Sequence, residues 1–419
     1  MIEVVRDPLW SNIRVERDLR AVIDTPVVQR LRYVRQLGHA FLVYPGATHT
    51  RFEHALGAYH LARRALDHLG EVAGRAAAGP DDGRIVRLAA LLHDIGHYPF
   101  SHALEEAGLP RHEALAERRL ADPELAAALE EIGVRPERLL PLIRGTSDAP
   151  LAGLISGSVD VDKLDYLSRD AMMCGVPYGV IDAERLLASL TLVDGAGAGG
   201  RPALALHEKG LAALESLLFA KYQMYRNVYW HHAVRSATAM FKRLVRGAIA
   251  AGSLRADEVA TATDDGFSHD LQRIDATGLA AALRARRLAK RAVELPAHDL
   301  PPDAASWPAT DPDLLARVED GMAREAGLEP GELLLDFPAK PDLLTVDLPL
   351  VQRDGSLRRD LPLHGVAAEL HRAARHLRVF VLRPATIPAR AVVELVMLPA
   401  EDVAARLAGG RALLRTRGP

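Results

Sequence analysis

A chain of 419 residues, 49% hydrophobic and 26% charged, has the composition of a folded globular protein and the length for one large domain with a smaller one. Its formal net charge of −3 gives no overall reason to expect nucleic-acid binding, and its single cysteine, Cys174, excludes an intrachain disulfide and argues against a thiolate metal site. The opening MIEVVRDPLW is charged and lacks an apolar centre, so it does not read as a signal peptide; no stretch reaches membrane-spanning length free of charge, and a cytoplasmic protein is the default expectation.

In chain order, residues 1–23 read as a short strand or extended segment with a turn at Asp7–Pro8. Thr25 as N-cap and Pro26 at the first helical position open a helix in which Val27, Leu31, Val34 and Leu37 recur at helical spacing, closed by Gly38. A second helix starts near Thr50, with Thr50 and Glu53 at capping-box spacing. It is apolar on two faces, so His54 points into protein, and Arg51 lies one turn earlier on roughly the same side. Gly79 to Gly83 read as a surface turn before a buried helix from about Arg84 to His93. Pro99–Phe100–Ser101 opens a short helix with His102 and Glu105 at i, i+3, and residues 111–150 form short helices, one of them opened by His112. Residues 160–172 are helical, with Asp162, Tyr166 and Asp170 on one face.

Residues 189–208 form a β-hairpin around GAGAGG, and a long helix follows from roughly Gly210 to Ile249. Beyond about residue 255 the chain turns polar and loop-rich, with helical pieces such as GLAAALRARRLAKRAV, whose basic run reads as a solvated face. LLTVDLPLV, LRVFVLRP and AVVELVML read as strands, and EDVAARLAG as a helix. The expected architecture is mainly α: a helical core over residues 1–255 that includes the β-hairpin, then a helical and small α+β region over 256–419.

The chemistry concentrates in Leu91 to His102, where an apolar run ends on adjacent His93 and Asp94 and two more histidines follow. Buried charge is costly unless it is paired or bound to a metal. With His54 and Asp162 from other buried helices, His93 and Asp94 make a plausible N/O site for a divalent transition metal. His102 with Glu105 one turn on is a reasonable acid with an orienting carboxylate, and Arg51, Lys163 and Lys221 are cations suited to a polyphosphate.

The strings DTPVVQRLRYVRQLG, YPGATHTRFEHALG, LLHDIGHYPFSH and DVDKLDYLSRDAMMCG resemble the HD-domain phosphohydrolases, and among them the deoxynucleoside-triphosphate triphosphohydrolases of bacteria and animals, over roughly residues 5–245. The resemblance implies an HD-domain helical bundle in which His54, His93, Asp94 and Asp162 ligate a divalent metal, with Mn, Fe, Mg, Zn and Ni not distinguished, and a second magnesium accompanies the triphosphate. It implies that His102, backed by Glu105, protonates the leaving nucleoside oxygen. His97 and His112 would contact the triphosphate or a second metal, and Arg51, Lys163 and Lys221 would hold phosphates. Gln36, Leu37, Tyr166 and Asp170 would surround the deoxyribose and Tyr229 the base. The implied reaction is attack of metal-activated water on the α-phosphate, releasing deoxynucleoside and tripolyphosphate.

A regulatory site is also implied. Asp24, Gln29, Arg32 and His231 match residues that hold a guanine-nucleotide activator between subunits of a homo-oligomer, a tetramer or a dimer. The sequence departs from the animal enzyme at six places, among them Glu105, where that enzyme has aspartate, and Lys221, where it has arginine. Glu3 and Arg6 stand where that enzyme has lysine and asparagine, and Tyr225 and His232 where it has histidine and lysine. Two other readings stand beside this one: a phosphohydrolase or phosphodiesterase on another nucleotide or an oligonucleotide, and a non-catalytic nucleotide-sensing or nucleic-acid-binding assembly.

Overall fold

The computed structural model describes residues 2–73, 80–301, 307–338, 344, 346–359 and 364–415. The fold is mainly helical with small sheets, in line with the expected class, and no described helix is long and apolar enough to cross a membrane. The first segment is a full hairpin, Ile2–Asp7 antiparallel to Ser11–Glu16, rather than one extended stretch. Asp7 makes its turn by accepting the Leu9 and Trp10 backbone N–H groups at 2.9 and 2.8 Å.

The helix expected over residues 26–37 is broken. Pro26–Gln29 is one α-turn, Arg30–Tyr33 continues as 3-10 helix, and Val34 is extended. The backbone has better partners elsewhere: Val34 C=O accepts Arg51 N–H at 2.9 Å, and Gln36 N–H donates to His49 C=O at 3.0 Å. These tertiary bonds override a helical pattern that is real but short. They also tie residues 34–36 to the start of the long helix Arg51–Ala73. Glu53 reaches back to the Thr50 N–H at 2.6 Å, as a capping box requires.

The next long element is Pro80–Leu92, so Pro80 opens a helix where a surface turn was expected; proline fits the first helical turn, whose N–H groups have no intrahelical acceptor. Val161–Cys174 follows, capped by Asp160 on the Lys163 N–H and ended by Gly175 in the left-handed region. These three helices pack with Ile13 and Val15 of the hairpin and Leu214 and Leu217 of the helix Leu211–Met224 in one apolar core, which Val346, Leu348 and Leu350 also enter.

The expected hairpin is present, Leu190–Val193 antiparallel to Ala203–His207. It is the start of a four-stranded sheet, because Leu350–Val351 adds parallel to Ala203–His207 and Leu357–Arg358 pairs beyond it. Leu350–Val351 is the strand that LLTVDLPLV supplies; Leu343 and Thr345 of that string lie outside the described residues. The long helix expected from Gly210 to Ile249 is interrupted. A π-turn, Tyr225–Tyr229, follows Met224, and a new helix, His232–Ala250, begins after Trp230 and His231. The break turns Tyr225 and Trp230 into a small apolar cluster with Tyr222, where continuous helix would have spaced them around the axis.

Further on, GLAAALRARRLAKRAV is helical only over Leu279–Arg284; its end enters the strand Lys290–Pro296. That strand, His376–Val381 (within LRVFVLRP, as expected) and Leu333–Asp336 make an antiparallel sheet with His376–Val381 at the centre. AVVELVML is not a strand: Ala391 to Val396 lie in the helix Ala389–Val396, and the buried positions Ala391, Val392, Leu395 and Val396 are spaced for one helical face. EDVAARLAG is helical as expected, within Ala400–Ala408. Those helices and Pro312–Glu325 close a second core on this sheet. A third core joins Tyr98, Phe100 and Leu104 to Phe241, Leu334 and Phe380. Beside it a buried ion cluster links Arg235 to Glu106 at 2.7 Å and to Asp336 at 2.5 Å, with Lys242 3.1 Å from Glu106.

Candidate functional site

His54 sits one turn into Arg51–Ala73 and is fully buried; His93 and Asp94 follow the end of Pro80–Leu92, and Asp162 is in the first turn of Val161–Cys174. The fold brings these elements to one point. His54 Nε2 is 3.1 Å from His93 Nε2 and 3.0 Å from Asp162 Oδ1, and His93 Nε2 is 3.6 Å from the same oxygen. The Asp94 oxygens stand 3.6 Å from His54 Nε2 and 3.4 Å from His93 Nε2.

The tautomers follow from the partners. His54 Nδ1 faces Asp165 Oδ2 at 2.8 Å and His93 Nδ1 faces Ala90 C=O at 2.8 Å; both partners only accept, so both Nδ1 atoms donate. Two Nε2 atoms are thereby turned on each other and on two carboxylates. One ligand atom each from His54, His93 and Asp162 lies close enough to share a cation, an N/O set that suits a divalent transition metal, and Asp94 stands at its edge with its oxygens turned to Arg51 and His97. A cation bound at His54 Nε2 has to displace a proton, because the surrounding carboxylates favour the charged imidazole. Burial lowers its pKa, but hydrogen bonds to Asp162 and Asp165 and the Asp94 charge outweigh that and raise it to about 10.

Asp94 is ion-paired with Arg51, whose Nε also reaches Ser101 Oγ at 3.2 Å. Burial works against the Asp94 carboxylate, but Arg51, His93 and His97 hold it ionised well below the usual range. A second histidine group adjoins it: His97 Nε2 lies 3.3 Å from Asp94 Oδ1. His97, His102 and His112 converge on Glu105, with His112 Nδ1 at 2.7 Å and His102 Nδ1 at 3.3 Å from its oxygens. The His97 and His112 rings stack at 3.7 Å and 19°, so their in-plane lone pairs do not meet at one point. Burial, aided by Arg51 and His112, keeps His97 neutral, whereas His102 is half exposed. Glu105 is ionised despite burial because His102 and His112 donate to it. Phe100 and Ser101, just before His102, both have φ of 58°, a strained conformation for residues with side chains. Gly96 makes the fold of this loop possible: a Cβ there would lie 2.1 Å from the His112 carbonyl oxygen.

On the far side of Asp162, Asp170 accepts from Tyr229 Oη and contacts His49 Nε2, both at 2.7 Å, and Tyr166 packs edge-on to Tyr229 at 6.4 Å. Lys163 pairs with Asp160 and Lys221 is buried. Gln36 is buried with its side-chain oxygen lacking a hydrogen-bond partner among the described residues, and Leu37 is half-buried against the main core. Of the residues matched to a regulatory site, Gln29 accepts from Arg32 Nε at 2.7 Å and donates to Ile23 C=O, next to Asp24. Asp24 pairs with Arg20, itself paired with Glu3. His231 keeps different company, Tyr44 and His232.

Asp165, Arg169, Asp7, Trp10 and His49 also bond around these residues, and none stands out as a site residue in the sequence. Asp165 and Arg169 are spaced i, i+4 inside a string already singled out, which was the available signal; nothing local tied them to Asp7 or Trp10.

Residues 51–170 match the HD domain and residues 181–384 the HD associated region. An uncharacterized protein of Methanocaldococcus jannaschii is 35% identical over 302 residues, covering 72% of this chain and 62% of that protein. The deoxynucleoside triphosphate triphosphohydrolase SAMHD1 of Homo sapiens is 28% identical over 268 residues, covering 55% of this chain and 42% of that one. The chain thus spans less than two thirds of these curated relatives. Among solved structures, a hypothetical protein from Aquifex aeolicus aligns with a TM-score of 0.71 at 27% identity, covering 95% of this chain and 99% of that chain. His54, His93, Asp94 and Asp162 all fall within the segment matched to the HD domain.

Proposed function

The chain belongs to the HD-domain phosphohydrolase family, and from that premise we propose that it hydrolyses deoxynucleoside triphosphates to deoxynucleoside and tripolyphosphate. The observation that supports this is the contact between two groups: the His54, His93, Asp162 donor set with Asp94 beside it, and the His97, His102, Glu105, His112 set, which meet where Asp94 approaches His97. His54, His93 and Asp162, with Asp94 beside them, would hold a divalent cation, which would supply charge to neutralise phosphate oxygens and to acidify a water molecule. The protein's own groups do the rest. Arg51 holds Asp94 in place beside the two imidazoles. Glu105 orients His102 through Nδ1, so that a proton on the other ring nitrogen can pass to the leaving nucleoside oxygen. His97 and His112, with Lys163 and Lys221, take the phosphate oxygens, Lys163 exchanging Asp160 for a phosphate. Gln36, Leu37, Tyr166, Asp170 and Tyr229 enclose the sugar and base. By the family resemblance, Asp24, Gln29, Arg32 and His231 would hold a guanine-nucleotide activator between copies of a homo-oligomer.

Tyr225 and His232 favour a second reading, hydrolysis of a different nucleotide, because they alter the base and regulatory surroundings. The protein with Mn²⁺ is incubated with each dNTP, with and without GTP, and products are separated by chromatography. Deoxynucleoside with tripolyphosphate supports the proposal; monophosphate release or no dNTP turnover overturns it. Asp94→Ala should lose both bound Mn²⁺ and turnover, and retained activity would refute the site.

A further inference from the structure

We propose that Asp7 and Trp10, in the turn of the first hairpin, are positioning residues that set the metal ligand His54 through Asp165. This rests on the metal site proposed above. A continuous chain of hydrogen bonds carries it. His54 Nδ1 donates to Asp165 Oδ2 at 2.8 Å. Arg169 donates to both Asp165 oxygens at 2.9 Å, and Trp10 Nε1 donates to Asp165 Oδ1 at 2.6 Å. Arg169 also donates to Asp7 Oδ2 at 2.8 Å. His54, Asp165 and Arg169 have no solvent exposure, so the bonds among these three are not exchanged for water.

Two physical effects follow. Asp165 has four lone-pair directions and four donors, so its plane cannot turn and Oδ2 stays aimed at His54. Arg169 is shared between two carboxylates, so the cluster of Asp7, Arg169 and Asp165 keeps one net negative charge. That charge strengthens the Asp165 bond to Nδ1–H and makes Nε2 a better donor to a cation. Neither Asp7 nor Trp10 touches the metal-binding atoms. Their turn is held together by Asp7 itself, which caps the Leu9 and Trp10 N–H groups. The hairpin is thereby a fixed outer wall of the metal centre.

Mn²⁺ affinity is measured by calorimetry on the full chain, with the melting temperature in EDTA as a measure of fold. Trp10→Phe keeps an aromatic ring and removes the indole donor, and should weaken Mn²⁺ binding about three- to tenfold, the equivalent of one hydrogen bond. Asp7→Asn should weaken it similarly, and Asp165→Asn about 10–100-fold. Arg6→Ala removes a hairpin bond to Asn12 that lies outside the chain, and should leave affinity unchanged. Wild-type affinity in both Trp10→Phe and Asp7→Asn overturns the proposal, as does equal weakening in Arg6→Ala. If the wild type itself binds no Mn²⁺, the metal-site reading fails and this proposal with it.

Discussion

Gly57 offers a sharp test of how closely the metal centre is packed. It lies on Arg51–Ala73 one turn after His54, where Asp165 and Arg169 of the neighbouring helix approach the backbone. Helix propensity alone makes Gly57→Ala stabilising by about 1 kcal/mol. The added Cβ, however, would stand 1.8 Å from Asp165 Oδ1 and 2.5 Å from Arg169 Nη2, where ordinary contact begins at 3.4 Å. The carboxylate would have to retreat by about 1.6 Å, which is more than its 2.8 Å bond to His54 and its 2.6 Å bond from Trp10 can absorb. Disrupting a buried charged pair costs about 3–5 kcal/mol, so the clash outweighs the propensity gain and the net loss is about 2–4 kcal/mol. Urea unfolding of the two proteins measures the stability, and calorimetry with Mn²⁺ measures the site. A Gly57→Ala protein that is as stable as wild type and binds Mn²⁺ equally would show that Asp165 is not held as described.

His102→Gln should lower kcat about 10²–10⁴-fold, with Mn²⁺ affinity unchanged because His102 is not in the first donor set; an unchanged kcat in steady-state assays removes it as the acid. Glu319, 4% exposed in Pro312–Glu325, gives a pH signature. Burial pushes its pKa up to about 7 while Arg243 pulls the other way. A carboxyl raised above its unfolded value of about 4.3 contributes stability at low pH that is lost as pH rises through about 7. Glu319→Gln keeps an acceptor for the Leu335 N–H, so wild type should lose about 3 kcal/mol relative to the variant between pH 5 and 8. Parallel urea-derived stabilities across that range would contradict this.

The candidate site was legible in the sequence where its residues stand in dense local strings: His54 after Thr50 and Glu53, His93 with Asp94, Asp162 in a capped helix. What could not be read was pairing across the chain. Asp165 is as plain a charged residue as its neighbours until Trp10, 155 positions away, is seen to donate to it. Element types failed for the same reason. Residues 26–37 carry a true helical pattern, but Val34 and Gln36 bond to the segment ahead of the long helix instead. In AVVELVML the valines suggested a strand, although the spacing of the buried positions already held the helical answer. The π-turn at Tyr225–Tyr229 has no marker such as glycine or proline; packing of Tyr222, Tyr225 and Trp230 selects it.

The parallel pairing of Ala203–His207 with Leu350–Val351 also has a consequence in time. About 140 residues separate the two strands. At roughly 5–20 residues per second, a ribosome takes roughly 7–30 s to make that stretch. Through that interval Ala203–His207 is a sheet edge with its second neighbour not yet synthesised, and the first core lacks Val346, Leu348 and Leu350. The nascent chain therefore carries an open strand edge, the feature most prone to pair with another chain, for longer than most domains of this size take to fold.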